Sequence, residues 1–72
     1  MKKRIVAANR VVMPDIRTVT LGVVEIEGNC VCSVSRLDGE QPFTEWIGGT
    51  IRLVRSADGA LHAYKGQCLL TA

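Results

Sequence analysis

The chain is expected to fold as an all-β domain: a small bent pseudo-barrel or sandwich of five to seven short, mostly antiparallel strands. Three observations predict it. Apolar and β-branched residues come in short runs, punctuated by Gly, Asn, Asp or Pro about every 8–12 residues, which is the rhythm of small barrels and sandwiches. No window sustains apolar residues at i, i+3, i+4 and i+7, so no helix of any length is predicted. Finally, Gly22–Leu37, GVVEIEGNCVCSVSRL, reads as two alternating strands folded back around Glu27-Gly28-Asn29, where Gly and Asn tolerate positive φ.

The first strand is Arg4–Met13, with β-branched Ile5, Val6, Val11 and Val12. Its adjacent apolar pairs imply burial on both faces or a bulge. Pro14-Asp15 ends it, because Pro removes a ladder donor and Asp favours turns. The second strand is Arg17–Ile26. Val19, Leu21 and Val23 share one face and Val24 and Ile26 the other, so the inner face switches near Gly22, where a bend is expected. Cys30–Leu37 is the third strand, with Cys30, Cys32 and Val34 on one side. Asp38-Gly39 opens a loop to about Glu45 that contains Pro42 and is solvated by Glu40 and Glu45. Trp46–Arg55 is a fourth extended segment with a kink at Gly48-Gly49. Ser56-Ala57-Asp58-Gly59 is a hairpin turn, Ala60–Tyr64 the returning strand, and Gln67–Leu70 a short last strand after Lys65-Gly66.

Seventy-two residues make one domain, spanning 1–72. A chain this short buries a small fraction of its surface, and such domains often add a staple or a partner. Hydrophobic residues are 47% of the chain, but the aromatics are only Phe43, Trp46 and Tyr64, so the core must be Val, Ile and Leu. Net charge is +2, with Lys2, Lys3 and Arg4 clustered and the other basic residues scattered. That lacks the concentrated basic face of nucleic-acid binders. The apolar run after Arg4 stops at Asn9-Arg10, short of a signal-peptide core, and no stretch is long enough to span a membrane. Three cysteines without framework spacing suggest reduced thiols and a cytoplasmic protein.

The order strand, Pro-Asp turn, strand, Glu-Gly turn, strand carries a family resemblance. Arg4–Asp15, RIVAANRVVMPD, resembles the opening strand of metal-dependent amidohydrolases. Gly22–Val31, GVVEIEGNCV, is similar to the strand, acidic-Gly turn and strand that follow there, and a looser match runs through Trp46–Ile51. The resemblance covers about half the chain. It implies the small β-domain that those enzymes pack beside a catalytic (β/α)8 barrel. The barrel's own motifs, a His-x-His metal pair followed by further His, Lys and Asp ligands, have no counterpart here. The one histidine is His62, and such a barrel takes roughly 250 residues. The resemblance therefore implies a β-domain standing free, with no functional residue to carry over.

Cys30, Cys32, His62 and Cys68 are the ligand types of a structural zinc site. C-x-C on a strand is not the C-x(2–4)-C knuckle of a zinc ribbon, however, and free cysteines are commonly buried as small hydrophobes. They are read as core residues, with no metal or cofactor expected. His62 is read as a solvent-facing strand residue, because a general base needs a nucleophile and an orienting acid and Asp58 sits in a turn. Ser33, Ser35, Thr18 and Thr20 are read as edge or solvent-face residues. Gly48-Gly49 lacks the Gly-Lys-Ser/Thr ending of a phosphate loop. Phe43 and Trp46 are either core plugs or exposed anchors for a partner, since Trp is enriched at interface hot spots; they are the candidate interaction surface.

No catalytic residue is identified. The leading expectation is a non-catalytic protein-interaction or accessory module, a homodimer or bound to a protein partner, with no membrane and no nucleic acid. Two alternatives remain open: an accessory subunit of a separately encoded metal-dependent hydrolase, or a small-ligand or oligonucleotide-binding β-barrel. Few aromatics argue against the oligonucleotide.

Overall fold

The computed structural model describes residues 2–39 and 43–72. Glu40 and Pro42 of the predicted loop lie outside the described residues. The described chain forms seven strands: β1 (Lys3–Val12), β2 (Thr18–Glu27), β3 (Cys30–Arg36), β4 (Thr44–Trp46), β5 (Thr50–Arg55), β6 (Leu61–Lys65) and β7 (Cys68–Leu70). They make one mixed sheet in the order β3-β2-β1-β5-β6-β7, with β4 also paired to β1. No helix forms among the described residues. The architecture is all-β as predicted, and it is one curled, open sheet, not a two-sheet sandwich.

The hairpin at Gly28-Asn29 forms with Glu27 opposite Cys30. Gly28 has φ 64 and Asn29 is not among the left-handed residues. Positive φ at the first turn position alone is the pattern of a type II′ turn, which suits the twist of the strands it joins. At the other hairpin, the Ser56 amide donates to the Ala60 carbonyl at 2.8 Å and the Gly59 amide to the Ser56 carbonyl at 2.9 Å.

The predicted bend in the second strand is present one residue early. Leu21 takes φ 52, a left-handed conformation uncommon for a non-glycine residue. Val19 packs on the core before the bend, and Val24 and Ile26 are wholly buried after it. Gly22 has no room for a side chain, because an added Cβ would overlap Val11 Cγ2.

The segment Trp46–Arg55, expected as one extended piece, is two strands along the same side of β1. β4 pairs Ile5–Ala7 in parallel, and β5 pairs Arg10–Val12 in parallel. Ala7 faces Trp46 while Arg10 faces Thr50, so the register slips by one residue between them. Gly48 and Gly49 take up the slip at φ 66 and 67. The Gly49 amide donates to Asn9 Oδ1 at 2.8 Å, and Lys65 Nζ donates to the Ile47 carbonyl at 2.6 Å.

The core joins Val6, Ala8 and Val11 of β1 with Val24 and Ile26 of β2, Ile51 and Leu53 of β5, Ala63 of β6 and Leu70 of β7. Each larger side chain buried there contributes about 1.5–3 kcal/mol. Among the described residues no polar or charged residue is buried. Curling brings β3 close to β6 without a ladder between them. The seam is bridged at one end, where the Ala72 amide donates to the Gly28 carbonyl at 2.7 Å.

Candidate functional site

Three groups of side chains were singled out from sequence, and the structure treats each differently. Trp46 ends β4, in register with Ala7, which is itself paired with Val23 on the other side of β1. Val23 is in turn paired with Ser35. The row Trp46–Ala7–Val23–Ser35 crosses four strands on the outer face, since Ala7 and Val23 alternate with core residues. Ala7 and Val23 are buried and Trp46 is 53% exposed. The indole is thus presented from the sheet and is not a core plug.

Besides its backbone pairing with Ile5–Ala7, this short strand carries an ion pair to β1. Arg4 of β1 grips Glu45 of β4 with two bonds, Nε to Oε2 and Nη2 to Oε1, both at 3.0 Å. Such fork-to-fork geometry is the strongest form of the pair. Glu45, expected to solvate a loop, therefore anchors a strand. The hydrogen bond from Arg4 and its charge hold the Glu45 carboxyl below the usual carboxylate range. Phe43 lies just outside β4 at φ 63 and is 94% exposed; it does not share the strand's pleat.

His62 lies on the face of β6 away from the core residue Ala63, opposite the exposed Val54, as expected. It is half-buried, and both ring nitrogens have partners. Nδ1 lies 2.7 Å from the Asn29 carbonyl across the seam, and Nε2 lies 3.2 Å from Ser56 Oγ. The Ser56 hydroxyl in turn contacts Asp58 Oδ1, which also accepts from the Ala60 amide at 3.1 Å. Hydrogen bonds from Ser56 and Ala60 pull the Asp58 carboxyl below its ordinary range, and the nearby His62 adds to this. Sequence spacing missed the partners, because Asn29 is 33 residues away and uses its backbone. The order also differs from a hydrolytic triad. There the imidazole stands between serine and acid; here the serine stands between acid and imidazole, and the acid does not orient the ring.

The cysteines correct the core reading. Cys30 is half-buried, Cys32 and Cys68 are exposed, and all three are free thiols. At Cys32 the cause is a bulge. Ile26 pairs with Val31 and Glu25 with Ser33, so Cys32 is the extra residue with no partner. The extra residue shifts the alternation, so that Val31 and Val34 both pack on the core and Cys32 is pushed outward. Cys30 and Cys32 line a shallow cleft of about 480 Å³ with Lys2, Glu27 and Gly28. Cys32 Sγ donates to Glu27 Oε2 at 3.7 Å. Desolvation, then the Glu27 charge, push the Cys32 thiol up, away from the nucleophilic thiolate. Cys68 is opposite Lys65 at the far turn. Among the described residues no three His, Cys, Asp or Glu side chains gather closely enough to hold a metal ion, nor is any helix long and apolar enough to cross a membrane.

No protein-family model, curated protein or solved structure matches the chain.

Proposed function

We propose that this chain is a non-catalytic protein-interaction module, a β-domain resembling the accessory domain of amidohydrolases, that docks a protein partner or a second copy of itself through Trp46. The observation that supports the reading is the mounting of Trp46. A half-exposed indole stands at the end of a three-residue strand that a bidentate ion pair fastens to the sheet centre. A rigid aromatic loses little entropy on docking, and tryptophan dominates many interface hot spots.

Association of the purified chain is the first test. Light scattering over a concentration series should show a dimer that Trp46→Ala shifts to monomer. If the wild type is monomeric throughout, the same variant is compared in pull-down from native extract, where loss of one stoichiometric chain is expected. A Trp46→Ala protein that keeps both self-association and its co-purifying chain sinks the reading. A catalytic barrel among the chains retained would make this protein that enzyme's accessory subunit.

A further inference from the structure

The two halves of β1 differ in the charge they meet. Around Lys3–Ala7 the register brings Glu25, Glu27 and Glu45, and Lys3 and Arg4 pair with two of them. Around Arg10–Val12 it brings residues 18–20 and 50–52, with no carboxylate. Arg10 stands opposite Thr50, and Arg52 follows two places on along β5. Both are exposed and alternate with the buried Val11, Ile51 and Leu53, so they share the outer face. The Arg52 guanidinium lies 6.0 Å from the centre of the Tyr64 ring, a cation–π contact. Lys65 supplies a third cation. Its Nζ donates to the Ile47 carbonyl at 2.6 Å, and its Cε would lie 3.4 Å from a Cβ placed on Gly49. Among the described residues none of the three pairs with a carboxylate. In the sequence they stand at positions 10, 52 and 65 and read as scattered; the fold gathers them along residues 49–52.

The cations border Trp46. A Cβ placed on Gly48 would lie 3.5 Å from Trp46 Nε1 and 3.6 Å from Asn9 Oδ1, so the indole edge approaches the residue before Arg10 over that glycine. We propose that this strip takes an acidic partner: a protein segment whose carboxylates lie along Arg10, Arg52 and Lys65 and whose apolar anchor meets Trp46. The inference rests on the reading of Trp46 as a docking anchor and adds the chemistry of what docks. Exposed cations without a partner are complemented by carboxylates, which an arginine fork holds with two bonds. A second copy of the chain fits less well, because three of its carboxylates, Asp15, Glu25 and Glu45, already carry a cation. Single-stranded nucleic acid needs a row of stacking surfaces, whereas Tyr64 is half-buried and already occupied by Arg52.

The test titrates poly-L-glutamate into the whole chain and follows the emission of Trp46, its one tryptophan. A saturable change that weakens as salt rises is expected. Arg10→Gln with Arg52→Gln should lower the affinity about fivefold, the loss of two exposed ion pairs. Lys2→Gln with Lys3→Gln removes the same charge at the far end of β1 and should leave the affinity within about twofold, since salt confines each charge to its own neighbourhood. If the arginine pair does not fold, Arg10→Gln alone carries the test with a loss of about twofold. An unchanged emission, equal losses in the two double variants, or tighter binding of poly-thymidylate at the same salt would each overturn the acidic partner, the last by giving the strip to nucleic acid. The Trp46 reading fails separately. Trp46-dependent association that the arginine pair leaves intact keeps the anchor and overturns the acidic partner, while an arginine effect without Trp46-dependent association keeps the acidic partner and sinks the anchor.

Discussion

Gly22 is pressed against Val11: a Cβ placed on it would overlap Val11 Cγ2 and lie 2.9 Å from Val11 Cβ. The contact sits at the bend of β2, beside Leu21 in its left-handed conformation. It lets β2 change which face it buries without parting from β1. Gly22→Ala should therefore cost about 2 kcal/mol, the range of an overpacked core. Val11→Ala should cost a similar amount by leaving a cavity. The two together should cost less than their sum, because the small residue at 11 makes room for the methyl at 22. Urea denaturation of the four proteins measures this, and additive losses would show that Val11 is not what excludes the methyl.

Ile16 offers the opposite case. It has φ 67 in the turn between β1 and β2, and it is 85% exposed. A β-branched residue in that region is strained, by about 1–3 kcal/mol, and little burial offsets it. Ile16→Gly should stabilise the domain by about 1 kcal/mol after glycine's own entropic cost, raising Tm by roughly 4–8 °C. A lower Tm would mean that the Ile16 side chain holds the turn by a contact.

Strand identities were legible because β-branched runs between Gly, Asn, Asp and Pro leave few alternatives. The bend at Gly22 was legible too, from a hydrophobic pattern that changes parity with a glycine between. What could not be read were features set by distant partners. β4 has three residues paired with Ile5–Ala7, and Arg4 and Glu45, which bond across that pairing, lie 41 positions apart. The bulge at Cys32 reverses the apparent inner face of β3, and nothing in Cys30–Leu37 announces it. The same limit hid the His62 cluster, whose far partner is a backbone carbonyl that no side-chain pattern marks. Trp46 was legible as a candidate, while its mounting was not.

The Arg4–Glu45 pair makes β4 sensitive to acid. Glu45 titrates lower in the folded protein than in the unfolded chain, so its stabilising effect is complete above the ordinary carboxylate range of about 4.3 and is lost as pH falls through the lower folded value. β4 should then loosen, and the Trp46 emission should shift towards the red before the sheet unfolds. Glu45→Gln should show the shifted emission already at neutral pH and no acid step. Identical emission in wild type and variant at neutral pH would mean that backbone pairing alone holds β4.

Cys32 is exposed, yet its thiol is held up by partial desolvation and by Glu27, to which it donates. Exposure alone would make it a ready target for alkylation, whereas the thiolate fraction says otherwise. At pH 8 Cys32 should react more slowly than a model thiol. Glu27→Gln should speed it by about two- to threefold, since removing a like charge favours the thiolate. The acceleration should fade at high salt, which screens the carboxylate from an exposed neighbour. Mass spectrometry of timed alkylation resolves Cys32 from Cys30 and Cys68. The variant also separates charge from access: a rate unchanged in Glu27→Gln at low salt would leave desolvation at the bulge as the cause of slow reaction. A rate increased equally at all three cysteines would instead report opening of the whole sheet.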